Sequence, residues 1–377
     1  MSPITILDWK LVRLSLDQVG PFQEAIRTFD FTDVAAPEDE SPAPSNLFML
    51  LAKNGHGKTT VLETLHGLMG LLAEPAVGRF ADPDAQGRAQ ADFRVRWRQD
   101  RQERTVILSI WTGSLDPILT PDDVRLDGVD AESPWVRLSI GRGPAGPFLQ
   151  DGSSNEGLQL YRQIRAELDR APSALLGASQ LLPTILFFPA DRAVYSPKGA
   201  QSVERPRRWG YAPAQTFLGD GPEWRDSIDN LLVWLDWLGD GRLDDLLSFV
   251  NPKLFATDQK FLLPPDRETL MTAVQTPNGR HALSGLSHGE RALLQLFVRV
   301  ACHMTGNTIV LIDEIETHLH TKYMNRMFQA LKALAIADPR LSIVFSTHNR
   351  ELIHVFDHKR REPGIIKGGE LIEDELH

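Results

Sequence analysis

The chain has 377 residues, 42% hydrophobic and 24% charged, with a formal net charge of −10. That length holds one large or two smaller domains with a full core, and the acidic balance excludes a surface wholly coated for nucleic acid while leaving room for local basic patches. Apolar runs are short (the densest, 181–188, is interrupted by Pro183), which excludes a membrane span, and the one cysteine, Cys302, excludes an internal disulfide or a Cys-rich metal site.

The N-terminal Met-Ser-Pro-Ile-Thr lacks a basic region followed by an apolar core, so no secretory signal and a cytoplasmic location are expected. Residues 4–31 alternate apolar and polar in part, predicting two strands around the turn Gly20-Pro21-Phe22. Residues 35–45 are acidic, Pro-rich and free of aromatics, which predicts an exposed loop.

Residues 46–60 organise the chain. An apolar run, Leu47 to Leu51, ends in Ala52-Lys53-Asn54-Gly55-His56-Gly57, and Lys58-Thr59-Thr60 opens a helix-prone segment with Val61, Leu62, Leu65, Leu68, Met69 and Leu72. A strand, a glycine turn and a helix N-terminus suit a phosphate chain. Backbone N–H groups converge on the anion, Lys58 reaches the outer phosphates and the Thr59 hydroxyl ligates Mg²⁺. This is the Walker A pattern with Ala52 at its first glycine; Gly55 and Gly57 keep the tight part of the turn permissive.

After a Gly/Pro/Asp-rich break over 74–90, Phe93, Val95 and Trp97 alternate with Arg94, Arg96 and Arg98, and 106–111 is again apolar. The pattern predicts a hairpin with one apolar and one basic face, the basic face being either solvated surface or a contact for phosphate or a partner. Further on, the expected elements are a strand over 135–140, a helix over 158–168 and an apolar strand over 185–188 that ends in a polar loop. A basic island surrounds Trp209, and 224–250 is helical in pattern with its tryptophans in the core. Pro277-Asn278-Gly279 marks a further hairpin.

Three motifs join the P-loop. Ser287 and Glu290 form a capping box at the start of an amphipathic helix, and Gly289 in its first turn suggests that something approaches the backbone closely. The apolar strand 307–312 runs into Asp313 and Glu314, the first suited to Mg²⁺ and the second to orienting or deprotonating a water. A second apolar strand, 342–345, delivers Ser346, Thr347 and His348, and His348 could contact the γ-phosphate. In a parallel sheet, ligands gather at the carboxyl ends of strands, where Thr59, Asp313 and His348 would meet.

This order of motifs resembles the ABC-type ATPases, and within them the SMC/RecF/OLD branch. The resemblance is carried by Gly20-Pro21-Phe22, by Asn54 to Thr60, by Leu286-Ser287-His288-Gly289-Glu290, by Asp313-Glu314-Ile315-Glu316-Thr317-His318-Leu319-His320 and by Ser346-Thr347-His348. It covers about half the chain. It implies an α/β P-loop NTPase fold of ABC type, with a mixed central sheet, an antiparallel β subdomain and a helical signature lobe. Residues 1–200 would form an N-terminal ATPase lobe with inserted hairpins, 201–285 a helical subdomain and hairpin, and 286–377 the rest of the core.

The resemblance further implies ATP with Mg²⁺ as cofactors and a head-to-tail homodimer or higher homo-oligomer. Asn54, Gly55, His56, Gly57, Lys58, Thr59 and Thr60 would bind the nucleotide, completed in trans by Ser287, Gly289 and Glu290. Thr59 and Asp313 would hold Mg²⁺, Glu314 would be the general base, Lys58 would assist catalysis and His348 would sense the γ-phosphate. The Q-loop position falls after 185–188, where Asp191 or Arg192 stands instead of glutamine. Without heptads for long arms and without a self-contained nuclease motif, the expected role is an ATP-driven switch in anti-phage defence or DNA repair. A separate nuclease or toxin would be the effector, nucleic acid is a candidate partner, and no membrane partner is expected. The rival readings are a transporter's nucleotide-binding subunit and a nucleotide-gated scaffold with little turnover.

Overall fold

The computed structural model describes residues 4–33, 42–73, 87–113, 116–119, 135–143, 146–169, 181–192, 197, 202–219, 223–255, 259–317, 319–349, 351–356 and 362–372. The elements in chain order are β1 (Thr5–Asp17), β2 (Arg27–Asp30), β3 (Leu47–Leu51), α1 (Lys58–Gly70), β4 (Arg88–Gln99), β5 (Gln102–Thr112), β6 (Trp135–Gly143), β7 (Gly146–Leu149) and α2 (Asn155–Asp169). There follow β8 (Pro183–Phe188), β9 (Ala214–Thr216), α3 (Ile228–Leu238), α4 (Arg242–Phe255), β10 (Phe261–Leu262), β11 (Ala273–Thr276), β12 (Gly279–Ala282) and α5 (His288–His303). The chain closes with β13 (Asn307–Ile312), α6 (Thr321–Ala337), β14 (Ser342–Thr347), α7 (Glu351–Phe356) and β15 (Lys367–Leu371). Part of the expected loop over 35–45, most of the break over 74–90, and His318 lie outside the described residues.

One six-stranded sheet, ordered β15-β3-β14-β13-β8-β9, carries the P-loop strand, and its pairings are parallel throughout. Strand alternation sends its side chains into two cores. Leu47, Met49, Leu186, Phe188, Val310, Ile312, Ile343 and Phe345 pack with the helices α3 to α7. Phe48, Leu50, Ile185, Phe187, Ile309, Leu311 and Val344 pack on the opposite side with α1. Strands buried on both faces are the reason these runs read as continuous apolar sequence.

A second six-stranded sheet, ordered β2-β1-β4-β5-β6-β7, covers that opposite side and holds most of the antiparallel pairing. Helix α1 lies between the two sheets and touches β8 and β9 on one side and β4 and β5 on the other. Lys10 of β1 ties the layers together through its ammonium, which donates to the carbonyls of Pro339 at 2.6 Å and Leu341 at 3.3 Å. Strand β9, within 201–285, lies beside β8, so a boundary at 200/201 runs through one continuous sheet.

The single helical stretch expected over 224–250 is broken. A short 3₁₀ turn at Trp224–Asp226 precedes α3, and α3 stops at Gly239, whose φ of 61° is left-handed, before Gly241 at 90° leads into α4. Left-handed backbone ends a helix and is open to glycine without a Cβ penalty. The tryptophans on this stretch are also not all core. Trp237 is 61% exposed and stacks on Trp234 with ring centroids 4.9 Å apart.

Candidate active site

The carboxyl ends of β3, β8, β13 and β14, four neighbours in one parallel sheet, place their following loops together. After β3 the chain turns through Gly55 (φ 87°) and Gly57 (φ 91°) into α1. A Cβ on Gly57 would lie 2.5 Å from the Phe22 ring and 2.7 Å from Pro21, and one on Gly20 would lie 2.7 Å from Thr60. The Gly20-Pro21-Phe22 turn thus buttresses the P-loop from beneath, and at Gly57 both the backbone and the neighbours demand glycine. A Cβ on Gly55 would meet nothing within 4 Å, so that side of the loop is open.

Helix α1 begins without a capping side chain and without an acidic residue in its first turn. Helix α5 has both at its start, and α3 is capped by Ser227. The uncapped first-turn N–H groups of α1, at the positive end of the helix dipole, are therefore suited to an anion. Lys58 is 4% exposed and its ammonium donates to the carbonyls of Ala52 and Lys53, each at 2.8 Å. Burial pulls its pKa below the usual lysine range, and Glu314, Asp313 and Glu316 pull it back up. His56 folds back on its loop, with Nδ1 3.1 Å from the Asn54 carbonyl, and Thr60 accepts from the Thr64 hydroxyl through its carbonyl at 2.6 Å.

The Walker A helix and the end of β13 meet directly: the Thr59 hydroxyl donates to Asp313 Oδ2 at 2.7 Å. The other oxygen of Asp313 accepts from Ser346 Oγ at 2.5 Å, and that same Oγ accepts from the Glu314 N–H at 2.7 Å. Asp313, 3% exposed, is thus held between two hydroxyls, one from each neighbouring motif. Glu314 sits at φ 44°, an uncommon left-handed conformation for glutamate that the surroundings must enforce, and its Oε2 accepts from Thr317 Oγ1 at 2.9 Å. His348 donates from its main-chain N–H to Glu316 Oε1 at 2.7 Å, and its Nδ1 lies 2.8 Å from the same oxygen.

Arg192, after β8, is 2% exposed and clamps this turn from below. Nη1 donates to the Asp313 carbonyl at 2.7 Å and to Pro189 at 3.1 Å, while Nη2 donates to Glu314 at 2.8 Å and Ile315 at 3.2 Å. Burial lowers its pKa to about 10, opposed by Asp313, Glu316 and Glu314, so it is charged at neutral pH. A rigid planar fork suits several fixed carbonyls where a lysine would not.

The sequence pattern marks the place of Arg192 without revealing this role. Ser346 and Glu316 are also unassigned by the motifs, although each carried a faint signal. Ser346 is a hydroxyl directly after the apolar run 343–345, and Glu316 a third acid behind an adjacent pair.

Comparison with known proteins adds a family match. A family model described as "AAA domain, putative AbiEii toxin, Type IV TA system" matches residues 216–354, a span that holds the signature turn, Asp313, Glu314 and His348 but leaves out the P-loop. Among curated proteins, none matches the chain. Solved structures that match include cbiO1 from Clostridium perfringens, part of the ABC transporter complex cbiONQ, at 10% identity and a TM-score of 0.32, covering 91% of this chain and 80% of that one.

The fold is α/β, with the P-loop at the carboxyl edge of a wholly parallel sheet. The turn at Ser287 is built as the capping box predicts: Ser287 Oγ accepts from the Glu290 N–H at 3.3 Å, and Glu290 Oε2 accepts from the Ser287 N–H at 3.0 Å. The other oxygen of Glu290 pairs with Lys260 at 2.6 Å. Burial would raise the carboxyl's pKa, but the bonds from Lys260 and Ser287 outweigh it and hold it below the usual range.

The close approach expected at Gly289 occurs inside the chain, where a Cβ would lie 3.0 Å from the Tyr323 ring. Across the chain, the signature turn connects with Lys260 through Glu290. The arginine ladder of β4 is largely neutralised. Arg94 pairs with Asp8 at 3.5 Å and Arg98 with Glu103 at 2.7 Å, which favours a solvated face over a phosphate contact. No helix of the described residues is long and apolar enough to cross a membrane.

Proposed function

We propose that the chain binds ATP with Mg²⁺, hydrolyses it, and pairs head to tail with a second copy in the ATP-bound state. It would thereby act as a switch for a separate effector protein. The observation that carries this reading is the 2.7 Å hydrogen bond between Thr59 and Asp313, which joins the Walker A hydroxyl to the Walker B carboxylate across 254 positions of sequence.

The donor set fits the metal, since a hydroxyl and a carboxylate are the hard oxygen ligands that Mg²⁺ takes. When bound there, Mg²⁺ would neutralise charge on the β- and γ-phosphate oxygens. Lys58 would exchange its loop carbonyls for phosphate oxygens. Glu314 would take a proton from the attacking water, with Thr317 and the Arg192 clamp fixing its direction. His348 would contact the γ-phosphate, held by Glu316. Ser287 and Gly289 would meet the nucleotide of the second copy, opposite the uncapped positive end of its P-loop helix.

The effector would serve a DNA-linked process, with anti-phage defence ahead of repair. The toxin and toxin–antitoxin system named by the matching family model are compatible with defence. Steady-state hydrolysis and light scattering on wild type, Glu314→Gln and Lys58→Ala test the proposal. Glu314→Gln should bind ATP, fail to turn over and accumulate as a dimer, and Lys58→Ala should not bind ATP productively. Equal turnover in all three would end the enzymatic reading, and a monomer of Glu314→Gln at saturating ATP would end the dimer reading.

A further inference from the structure

The two helix starts that would share a nucleotide differ in charge. Helix α1 has neither a capping side chain nor an acid in its first turn, whereas α5 has Ser287 as its cap and Glu290 three positions on. Glu290 suits α5 taken alone, because a carboxylate offsets the positive end of the helix dipole. It does not suit a phosphate brought there by a second copy, which would meet negative charge where the dipole should attract it. Glu290 is 2% exposed and ionised, since the bonds from Lys260 and Ser287 outweigh the burial that would raise its pKa. Ser287 also directs its hydroxyl proton at this carboxylate, donating to Oε2 at 2.9 Å.

A cation from a distant element answers that charge. Lys260 Nζ donates to Glu290 Oε1 at 2.6 Å, across 30 positions of sequence. Its placement is built rather than incidental. Asn251 of α4 holds the main chain of Leu262 as a neighbouring strand would: Nδ2 donates to the Leu262 carbonyl at 3.2 Å, and Oδ1 accepts from the Leu262 N–H at 2.7 Å. On its other side β10 pairs with β11, Leu262 standing opposite Val274. Strand alternation then puts Lys260 on the side of Leu262, which is buried, and sends Phe261 outward, where it is 55% exposed. Helix α4 and the small sheet together aim the ammonium at the start of α5.

We propose that Lys260 is a positioning residue for the nucleotide bound in trans: by pairing with Glu290 it cancels the negative charge of the signature turn and lets the phosphate of a second copy approach Ser287. The assignment rests on the head-to-tail reading of the ATP-bound dimer. It makes the two residues interdependent. Loss of Lys260 alone leaves an unpaired buried carboxylate beside the incoming phosphate, and like charges brought together across an interface are costly. Loss of both charges leaves an uncharged cap, because glutamine at this position also closes a capping box with serine.

Full-length Glu314→Gln protein, which should accumulate as the ATP-bound dimer, is the parent for the test. Sedimentation velocity over a range of protein concentrations at saturating ATP gives its dimer dissociation constant. Adding Lys260→Met should raise that constant about tenfold or more, as loss of one partner of a buried charge pair at an interface does. Adding Glu290→Gln to the Lys260→Met protein should return it to within about threefold of the parent, and Lys260→Arg should match the parent, since the two charges act as one unit. Binding of a fluorescent ATP analogue to dilute monomer, which reads the P-loop alone, should be the same in every variant.

A dimeric parent whose dissociation constant is indifferent to Lys260→Met overturns the assignment alone. So does a Lys260→Met defect that Glu290→Gln leaves in place, or one accompanied by an equal loss of analogue binding, since either means that Lys260 serves the fold rather than the charge of the turn. Where Lys260→Met lowers the melting temperature too far to assay, the variant lacking both charges decides: it should dimerise as the parent does, and failure to do so while folded overturns the assignment. A parent that stays monomeric at saturating ATP refutes the head-to-tail reading itself, and this assignment with it.

Discussion

Arg192 donates through Nη1 to the main-chain carbonyl of Asp313 at 2.7 Å, joining residues 121 positions apart. The same guanidinium reaches the next two carbonyls and so holds the turn in which Glu314 adopts its left-handed conformation. Arg192→Lys keeps the charge and loses the fork. It should lower kcat about tenfold to hundredfold, the usual effect of disturbing a group that orients a catalytic one. Binding of a fluorescent ATP analogue should change little, because Arg192 contacts the Walker B turn and not the P-loop. A fall in nucleotide affinity that matches the fall in kcat would count against this role.

Ser346 stands between Asp313 and Glu314, donating to one and accepting from the other. Ser346→Ala should leave the strand intact, since the strand is paired with β3 through its backbone, and free the Asp313 carboxylate to rotate. The expected readout is a rise of about tenfold in the Mg²⁺ concentration that supports half-maximal turnover. An unchanged Mg²⁺ titration would show that Thr59 alone orients the carboxylate.

Glu316 carries both a main-chain and a ring contact of His348. If the two act as one unit, Glu316→Ala and His348→Ala should each reduce turnover, and the double variant should be no slower than the worse single one. Strictly multiplicative effects would mean that Glu316 does something other than place the histidine.

Asp92 in β4 gives a prediction about stability. It is fully buried, accepts from Ser109 and Gln90, and burial raises its pKa to about 6 from the ordinary 3.8. Because the folded-state pKa lies above the unfolded one, the contribution is fully present below about pH 3.8 and is lost as the pH rises through about 6. Relative to Asp92→Asn, wild type should therefore lose stability across that window, by up to about 3 kcal/mol from the size of the shift. Urea unfolding of both proteins at pH 4 and pH 7 measures the difference, and parallel stabilities at the two pH values would refute it.

Much of the fold follows from patterns a few residues long. The buried strands 47–51, 183–188, 307–312 and 342–347 show as apolar runs because both faces are covered. The Ser287–Glu290 box shows because both partners lie within one helical turn. The same local reading passed straight through Gly239 and Gly241, where apolar periodicity on either side outweighed two adjacent-but-one glycines that the backbone uses to turn. It also left the β4 arginines looking like a basic face, since their acids stand on β1 and β5 rather than on the same strand.

The sequence by itself determined which groups could handle a phosphate and a cation: the glycine loop with Lys58 and Thr59, the acids after β13, and the histidine after β14. Only the tertiary structure decided how those groups are held. Arg192 beneath Asp313, Ser346 beside it, Phe22 against Gly57, Lys260 on Glu290 and Tyr323 over Gly289 are all contacts between distant segments. The physical reason is that strand and helix periods register only the neighbours along one element. A hydrogen bond or a close packing between elements depends on sheet order and register, which no short stretch of sequence encodes alone.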